Sequence, residues 1–153
     1  MNASVRIRPA AAADAVRIRA MNLVFNESDV SVASIAEKLN TPSAEVVLVA
    51  EAVVAEAIVV EAAGTIVGFA TAQIQLSICY DEAWAELVEI YVEPTSRRSG
   101  VGRALVSEIE STVRRRGARS LFLRTNKMNL EGRSLFQACS MVEAHDTVFE
   151  KSL

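Results

Sequence analysis

A chain of 153 residues with a formal net charge of −3 has enough length for one apolar core and too little for two ordinary domains. That slight acidity gives no general attraction to nucleic acid or anionic membrane. The two cysteines, Cys79 and Cys139, lack CxxC spacing, and the single histidine, His145, makes a zinc knuckle or disulfide framework unexpected. The opening MNASVRIRPA has no long apolar core of the signal-peptide kind. The most apolar stretch, residues 52–64, is broken by Glu56 and Glu61 before it could span a bilayer. The expectation is one cytoplasmic domain over residues 1–153, with no metal, nucleic acid or membrane among its partners.

In chain order, the alternation of VRIRP predicts a strand over 5–9, and helical spacing from Ala11 to Val24, with Asp14 in the first turn, predicts a helix. Residues 31–40 read as a second helix. Thr41-Pro42 has the form of a cap followed by proline at a first helical position, yet the β-branched run at 45–49 leaves helix and strand both open. AIVVEAAG from 57 and TIVGFATAQIQLSI from 65 are β-rich and meet at a turn near Ala63-Gly64, a predicted hairpin. Asp81 and Glu82 mark a turn before a strand at 85–92, which Glu93-Pro94 halts because proline cannot donate to a ladder. Leu105, Val106, Ile109 and Val113 form one apolar stripe, so 101–116 is an amphipathic helix closed by Gly117. A strand at 120–125, a helix at 129–139 and a closing strand from His145 complete an α+β domain around a mixed sheet.

The segment SRRSGVGRALV, residues 96–106, carries chemistry. Between residues 97 and 119 this acidic chain places seven arginines against two glutamates. Arg114–Arg116 read as a solvated helix face, whereas Arg97 and Arg98 sit beside glycines. A strand that stops at proline and passes through RRSGVG into a helix leaves unpaired N–H groups in the helix's first turn. With the helix dipole they form an anion socket. Glycines at 100 and 102 permit unusual φ values and close approach, and the arginines add charge-assisted hydrogen bonds. A P-loop needs a lysine after its last glycine, and none follows Gly102. A dinucleotide fingerprint needs a third glycine where Leu105 stands.

IYVEP at 90–94 followed by RRSGVGRALV at 97–106 resembles the GNAT superfamily of N-acetyltransferases. NLEGRSLF at 129–136 is similar to that family's second cofactor-contacting helix, and VFEKSL to its closing strand. The resemblance implies a largely antiparallel central sheet flanked by helices, with acetyl-CoA as cosubstrate. Its diphosphate would lie on Arg97, Arg98, Ser99, Gly100, Val101, Gly102 and Arg103, its pantetheine along Ile90, Tyr91 and Val92, with Asn129 and Phe136 completing the site.

It further implies direct attack by the amine of a small molecule or peptide, assisted by a base, with Glu86 and Glu89 as candidates. Simple alternation sets Glu86 with Val88 and Ile90 on one face and Leu87, Glu89 and Tyr91 on the other, although a bulge near 90 would change this. Phe136 stands where many family members place a tyrosine acid, which leaves water, Tyr80 or Tyr91 to protonate the thiolate. It also motivates the alternative of a non-catalytic acyl-CoA sensor. Glu27, Asp29, Asp81 and Glu82 could attract a cationic amine. Trp84, Tyr80 and Phe25 could line its pocket. Cys139 and His145 read as structural, and a homodimer fits the family.

Overall fold

The computed structural model describes residues 4–53, 65–145 and 147–152. Five strands form one sheet in the order β1-β2-β3-β4-β5: β1 Ser4–Pro9, β2 Glu45–Val53, β3 Thr65–Gln75, β4 Ala83–Val92 and β5 Ala118–Leu123. The first four are antiparallel neighbours. β5 joins β4 in parallel through a helical crossover. The helices are α1 Ala15–Asn26, α2 Val32–Asn40, α3 Val101–Arg115 and α4 Leu130–Ala138.

The two faces of the sheet are covered by different helices. On one, Val101, Leu105, Val106, Ile109 and Val113 of α3 bury the predicted stripe against Val46, Leu48, Ala70, Ala72, Ala85 and Leu87, joined by Phe136 of α4. On the other, Ile18 and Met21 of α1 pack with Ile35 and Leu39 of α2 on Val49, Ile66, Phe69 and Tyr91. The small side chains at 70, 72 and 85 let α3 sit close to the sheet.

A three-residue 3-10 turn, Ala12–Asp14, leads into α1. Arg8 of β1 holds it in place. Its guanidinium donates to both Asp14 carboxylate oxygens at 2.7 and 2.9 Å and to Glu51 of β2 at 3.1 Å, while Asp14 also accepts the Ala11 N–H at 2.8 Å. These hydrogen bonds, Arg8 first, hold the Asp14 carboxyl below the ordinary carboxylate range against the opposing effect of burial. Ser31 caps α2 by accepting the Ser34 N–H.

The segment left open at 45–49 is strand, and four expectations are changed. Thr41 ends a helix instead of starting one, because its N–H and hydroxyl both turn back to the carbonyls of Lys38 and Glu37. Residues 147–152 form no strand: Val148 and Phe149 are adjacent, so no apolar alternation offers a face to bury, and both are exposed. The hairpin strand and turn at 57–64 lie outside the described residues, and the hairpin partner of β3 is β2.

The fourth change concerns the faces of β4. In its pairing with β3, Thr71 opposes Glu89 while Ala72 opposes Leu87, so Val88 is an extra, exposed residue. The alternation therefore reverses at Val88. Thr71 and Gln73 share a face of β3, and their partners Glu89 and Glu86 share it too, where strict alternation had separated the two glutamates. A matching slip between Ala50 and Glu51 leaves Val67 unpaired in β3.

Two stability outcomes follow. Ile109→Ala empties a fully buried site and is expected to cost about 2–5 kcal/mol, read as a lower denaturant midpoint at unchanged slope. Asp14→Asn is expected to cost about 1.5–3 kcal/mol at neutral pH, the range of hydrogen bonds to charged groups. Because the folded carboxyl titrates below its unfolded value, that stabilisation is complete above the unfolded pKa and fades as pH falls through the folded one. Denaturation curves of the two proteins should converge in acid; a constant difference would refute the ion-pair assignment.

Candidate active site

The glycine loop is built as an anion socket. Proline opens a short 3-10 turn at Pro94–Ser96, the chain reverses, and Arg98 takes left-handed backbone at φ +61°. Gly100 then caps α3 at φ +92°, a conformation that side chains rarely adopt, and nothing lies within 4 Å of where its Cβ would be. Ala104 makes the first intrahelical bond, to Gly100, so the N–H groups of Val101, Gly102 and Arg103 lie ahead of the ladder with the positive end of the helix dipole. Gly102 has a further reason to be glycine: a Cβ there would meet the Leu135 side chain of α4 at 3.1 Å.

A cleft of about 590 Å³ extends from this loop. Its cause is topological. β4 pairs with β5 only from Ala83–Ala118 to Leu87–Leu123, and beyond that the strands part. The Glu93 N–H bonds to Val67 across β3, so by alternation the N–H and C=O groups of Ile90 and Val92 face the gap. Arg97 bridges its mouth, donating from Nε to the Val92 carbonyl at 3.0 Å and pairing with Glu131 of α4 at 3.2 Å. Arg98 and Arg103 border the cleft and make no ion pair among the described residues.

The structure does not bring every predicted residue to this cleft. Ile90, Tyr91, Val92, Arg97, Arg98, Gly100, Gly102, Arg103, Asn129 and Phe136 border it, whereas Ser99 and Val101 do not. The Ser99 hydroxyl donates to the Ser96 carbonyl at 2.6 Å, and the Val101 side chain is in the core. Tyr91 points its ring at Phe25 and Phe69. Asn129 caps α4, accepting the Gly132 N–H at 3.0 Å while donating to Thr125. Phe136 is buried and offers no proton.

The two glutamates have different settings. Glu86 is fastened: Arg124 donates to it from two nitrogens at 2.9 and 2.7 Å, and Gln75, itself bonded to the Trp84 indole, adds a contact at 3.4 Å. Glu89 accepts only the Thr71 hydroxyl among the described residues. Burial, reinforced by the nearby Glu45 carboxylate, pushes its pKa upward. A second cavity, about 620 Å³, runs from α1 and α2 past β2 to the C-terminal end of α3, and Glu89 borders both cavities while Glu86 borders neither.

Several other candidates are used elsewhere. Asp29 pairs with Arg19 at 2.5 Å and Glu82 with Arg119 at 3.3 Å. Tyr80 is exposed and stacks edge-on against Trp84, away from either cavity, whereas Phe25 borders the cleft. Burial first, then Glu110, raises the Cys139 thiol pKa, which makes it less nucleophilic. Among the described residues no three His, Cys, Asp or Glu side chains are grouped to hold a metal ion, and no helix is long and apolar enough to cross a membrane. Sequence reasoning passed over Thr71, Glu45 and Arg124. Thr71 was the visible one, a lone hydroxyl in the buried run FATA.

Comparison with known proteins gives the fold a context. No protein of curated function matches the sequence. An aminoglycoside acetyltransferase from an uncultured soil metagenomic sample, solved with sisomicin, superposes with a TM-score of 0.76 at 19% identity, over 97% of this chain and 96% of that one. A ribosomal-protein-alanine N-acetyltransferase from Brucella melitensis biovar Abortus 2308 gives 0.75 at 18%, over 98% and 100%. AAC(6')-Iy, solved with the bisubstrate analogue CoA-S-monomethyl-acetylneamine, gives 0.78 at 19%, over 98% and 99%. At such identities these likenesses establish the fold alone. The family model described as Acetyltransferase (GNAT) family matches residues 31–141, more than two thirds of the sequence and every element from α2 to α4, and the chain belongs to that family.

Proposed function

We propose that the protein moves the acetyl group of acetyl-CoA to a primary amine by direct attack in a ternary complex. The observation that carries this reading is the position of Glu89, the one glutamate of β4 that borders both the cleft behind the glycine loop and the cavity on the α2 side. A carboxylate there reaches toward a donor in the first and an acceptor in the second. Acetyl-CoA supplies an acyl thioester: the amine nitrogen bonds to its carbonyl carbon, the C–S bond breaks, and the thiolate leaves to be protonated.

The chain's own groups divide the remaining work. The N–H groups at 101–103, with Arg98 and Arg103, fit a diphosphate. The exposed amide edge of Ile90 and Val92 fits the amides of a pantetheine arm, and the Val92 N–H is the donor available to the thioester oxygen. Glu89 takes a proton from the incoming ammonium, directly or through water; its raised pKa brings it nearer to the amine it must deprotonate. Thr71 orients that carboxylate. Glu86 is held by Arg124 and borders neither cavity, which leaves it away from both reactants. Positioning of two reactants is worth about 7–11 kcal/mol, against roughly 10²–10⁴ in rate for general acid catalysis, so activity survives a phenylalanine at 136.

That phenylalanine is also the one feature favouring the sensor reading, in which acyl-CoA binds without transfer. Acceptor-dependent release of free CoA decides between the two.

Glu89→Gln is expected to lower kcat by about 10²–10⁴ with acetyl-CoA affinity unchanged. In the wild-type protein, activity should rise with pH along a limb above the ordinary carboxylate range, since the base acts deprotonated and its pKa is raised; the variant should lack that limb. If Glu86→Gln proved the more damaging change, the base assignment would reverse. Gly100→Val, whose Cβ would meet no atom within 4 Å but which must hold φ near +92°, is expected to weaken acetyl-CoA binding by at least about tenfold in calorimetry while circular dichroism stays unchanged. Undiminished affinity would remove the diphosphate socket.

A further inference from the structure

The cavity on the α2 side is unlike a site for a polycation. Its apolar wall is Ile18 of α1, Ile35 and Leu39 of α2, and Val47 and Phe69 of the sheet, its other end is lined by polar side chains at the end of α3, and at about 620 Å³ it has room for a body far larger than a simple alkyl amine. Three carboxylates border it, Glu45, Glu89 and Glu108, against three cations, Lys38, Arg115 and Arg116, so their formal charges cancel. The arrangement of these charges is uneven. Glu108 is paired with Arg115 at 3.1 Å, and Arg116 is turned to the backbone carbonyls of Ser43 and Glu45. Glu45 and Glu89 make no ion pair among the described residues; Glu89 accepts Thr71, and it is the Glu45 main chain that Arg116 holds. On α2, Lys38 is exposed and likewise makes no ion pair among the described residues.

We infer that the acceptor is a monoamine carrying an apolar body, which enters this cavity amine first, lodging its single cation at Glu89 and Glu45 and its body against the α2 wall, while Lys38 disfavours molecules with further cations. The inference rests on the acetyl-transfer reading of Glu89 and narrows it to one acceptor class. One cation satisfies the deep carboxylates. A second or third, spaced along a polyamine or an aminoglycoside, would be placed near Lys38 and Arg116, where the one further carboxylate, Glu108, is already paired with Arg115, with its hydration lost. An apolar body loses nothing by leaving water there.

The test is calorimetric titration of the full-length protein, with CoA present, by 2-phenylethylamine and by spermidine, together with thiol release from acetyl-CoA on the same two amines. Phenylethylamine is expected to bind at least about tenfold more tightly. Lys38→Glu, a change at an exposed position that should leave melting behaviour unaltered, takes the formal charge of the lining from zero to −2. It is expected to strengthen spermidine binding by about fivefold or more and to leave phenylethylamine within about twofold. Tight phenylethylamine binding without thiol release would uphold the class of amine the cavity takes and sink the transfer reading. Spermidine binding as well as phenylethylamine, no binding of phenylethylamine, or an unmoved spermidine affinity in Lys38→Glu would each overturn the inference, whatever the turnover.

Discussion

Beyond Leu87, β4 keeps a hydrogen-bonded neighbour on one side only among the described residues. In the interior of a sheet this would leave the amide groups of Ile90 and Val92 unsatisfied, at about 1–3 kcal/mol for each one buried without a partner. The fold tolerates it because the gap is open, and one of the groups, the Val92 carbonyl, is met by Arg97. The parted strands also determine what surrounds them. α3 begins at the end of β4 and aims its unpaired N–H groups at the gap, and α4 closes the far wall through Leu135 and Phe136. The same divergence therefore places an anion socket, a row of free amides and an apolar wall along one path, three requirements of a long molecule with a phosphorylated end.

The second constraint is the extra residue at Val88. It lets β4 present Leu87 and Ala85 to α3 in its first half and Ile90 and Val92 to that side in its second. The reversed half turns Glu89 and Tyr91 toward α1 and α2. Without it, Glu89 would face the core under α3, where a carboxylate has no partner. With it, the carboxylate sits beside Thr71 at the boundary between two cavities, and Glu86, two strand positions away on the same face, is drawn into a row of polar contacts running from Trp84 to Arg124.

Much of this was legible in the residues. The stripe Leu105, Val106, Ile109 and Val113, the stop at Glu93-Pro94, the glycine at 100 and the helix opening at Asn129 are local signals, and local physics decides them. What depended on partners was less visible. Residues 45–49 are β-branched in a way either structure accepts, and only pairing with β1 and β3 makes them strand. The bulge at Val88 is a property of the register between two strands, so no period counted along β4 could place it. Likewise the ion pair from Glu86 to Arg124 spans 38 positions in the chain, and the role of Gly102 as a seat for Leu135 spans 33; neither separation leaves a trace in spacing.

The outer edge of β5 has no strand beside it among the described residues. Such an edge is a template on which another chain can pair, and sheet proteins commonly discourage this with charge. Here Arg119 lies within the strand and Arg124 just past its end, both exposed. Two copies meeting edge to edge would have to take the Arg119–Glu82 and Arg124–Glu86 pairs out of water along the seam. The arginine that steadies Glu86 thus also guards a border, discouraging the sheet from growing into an aggregate.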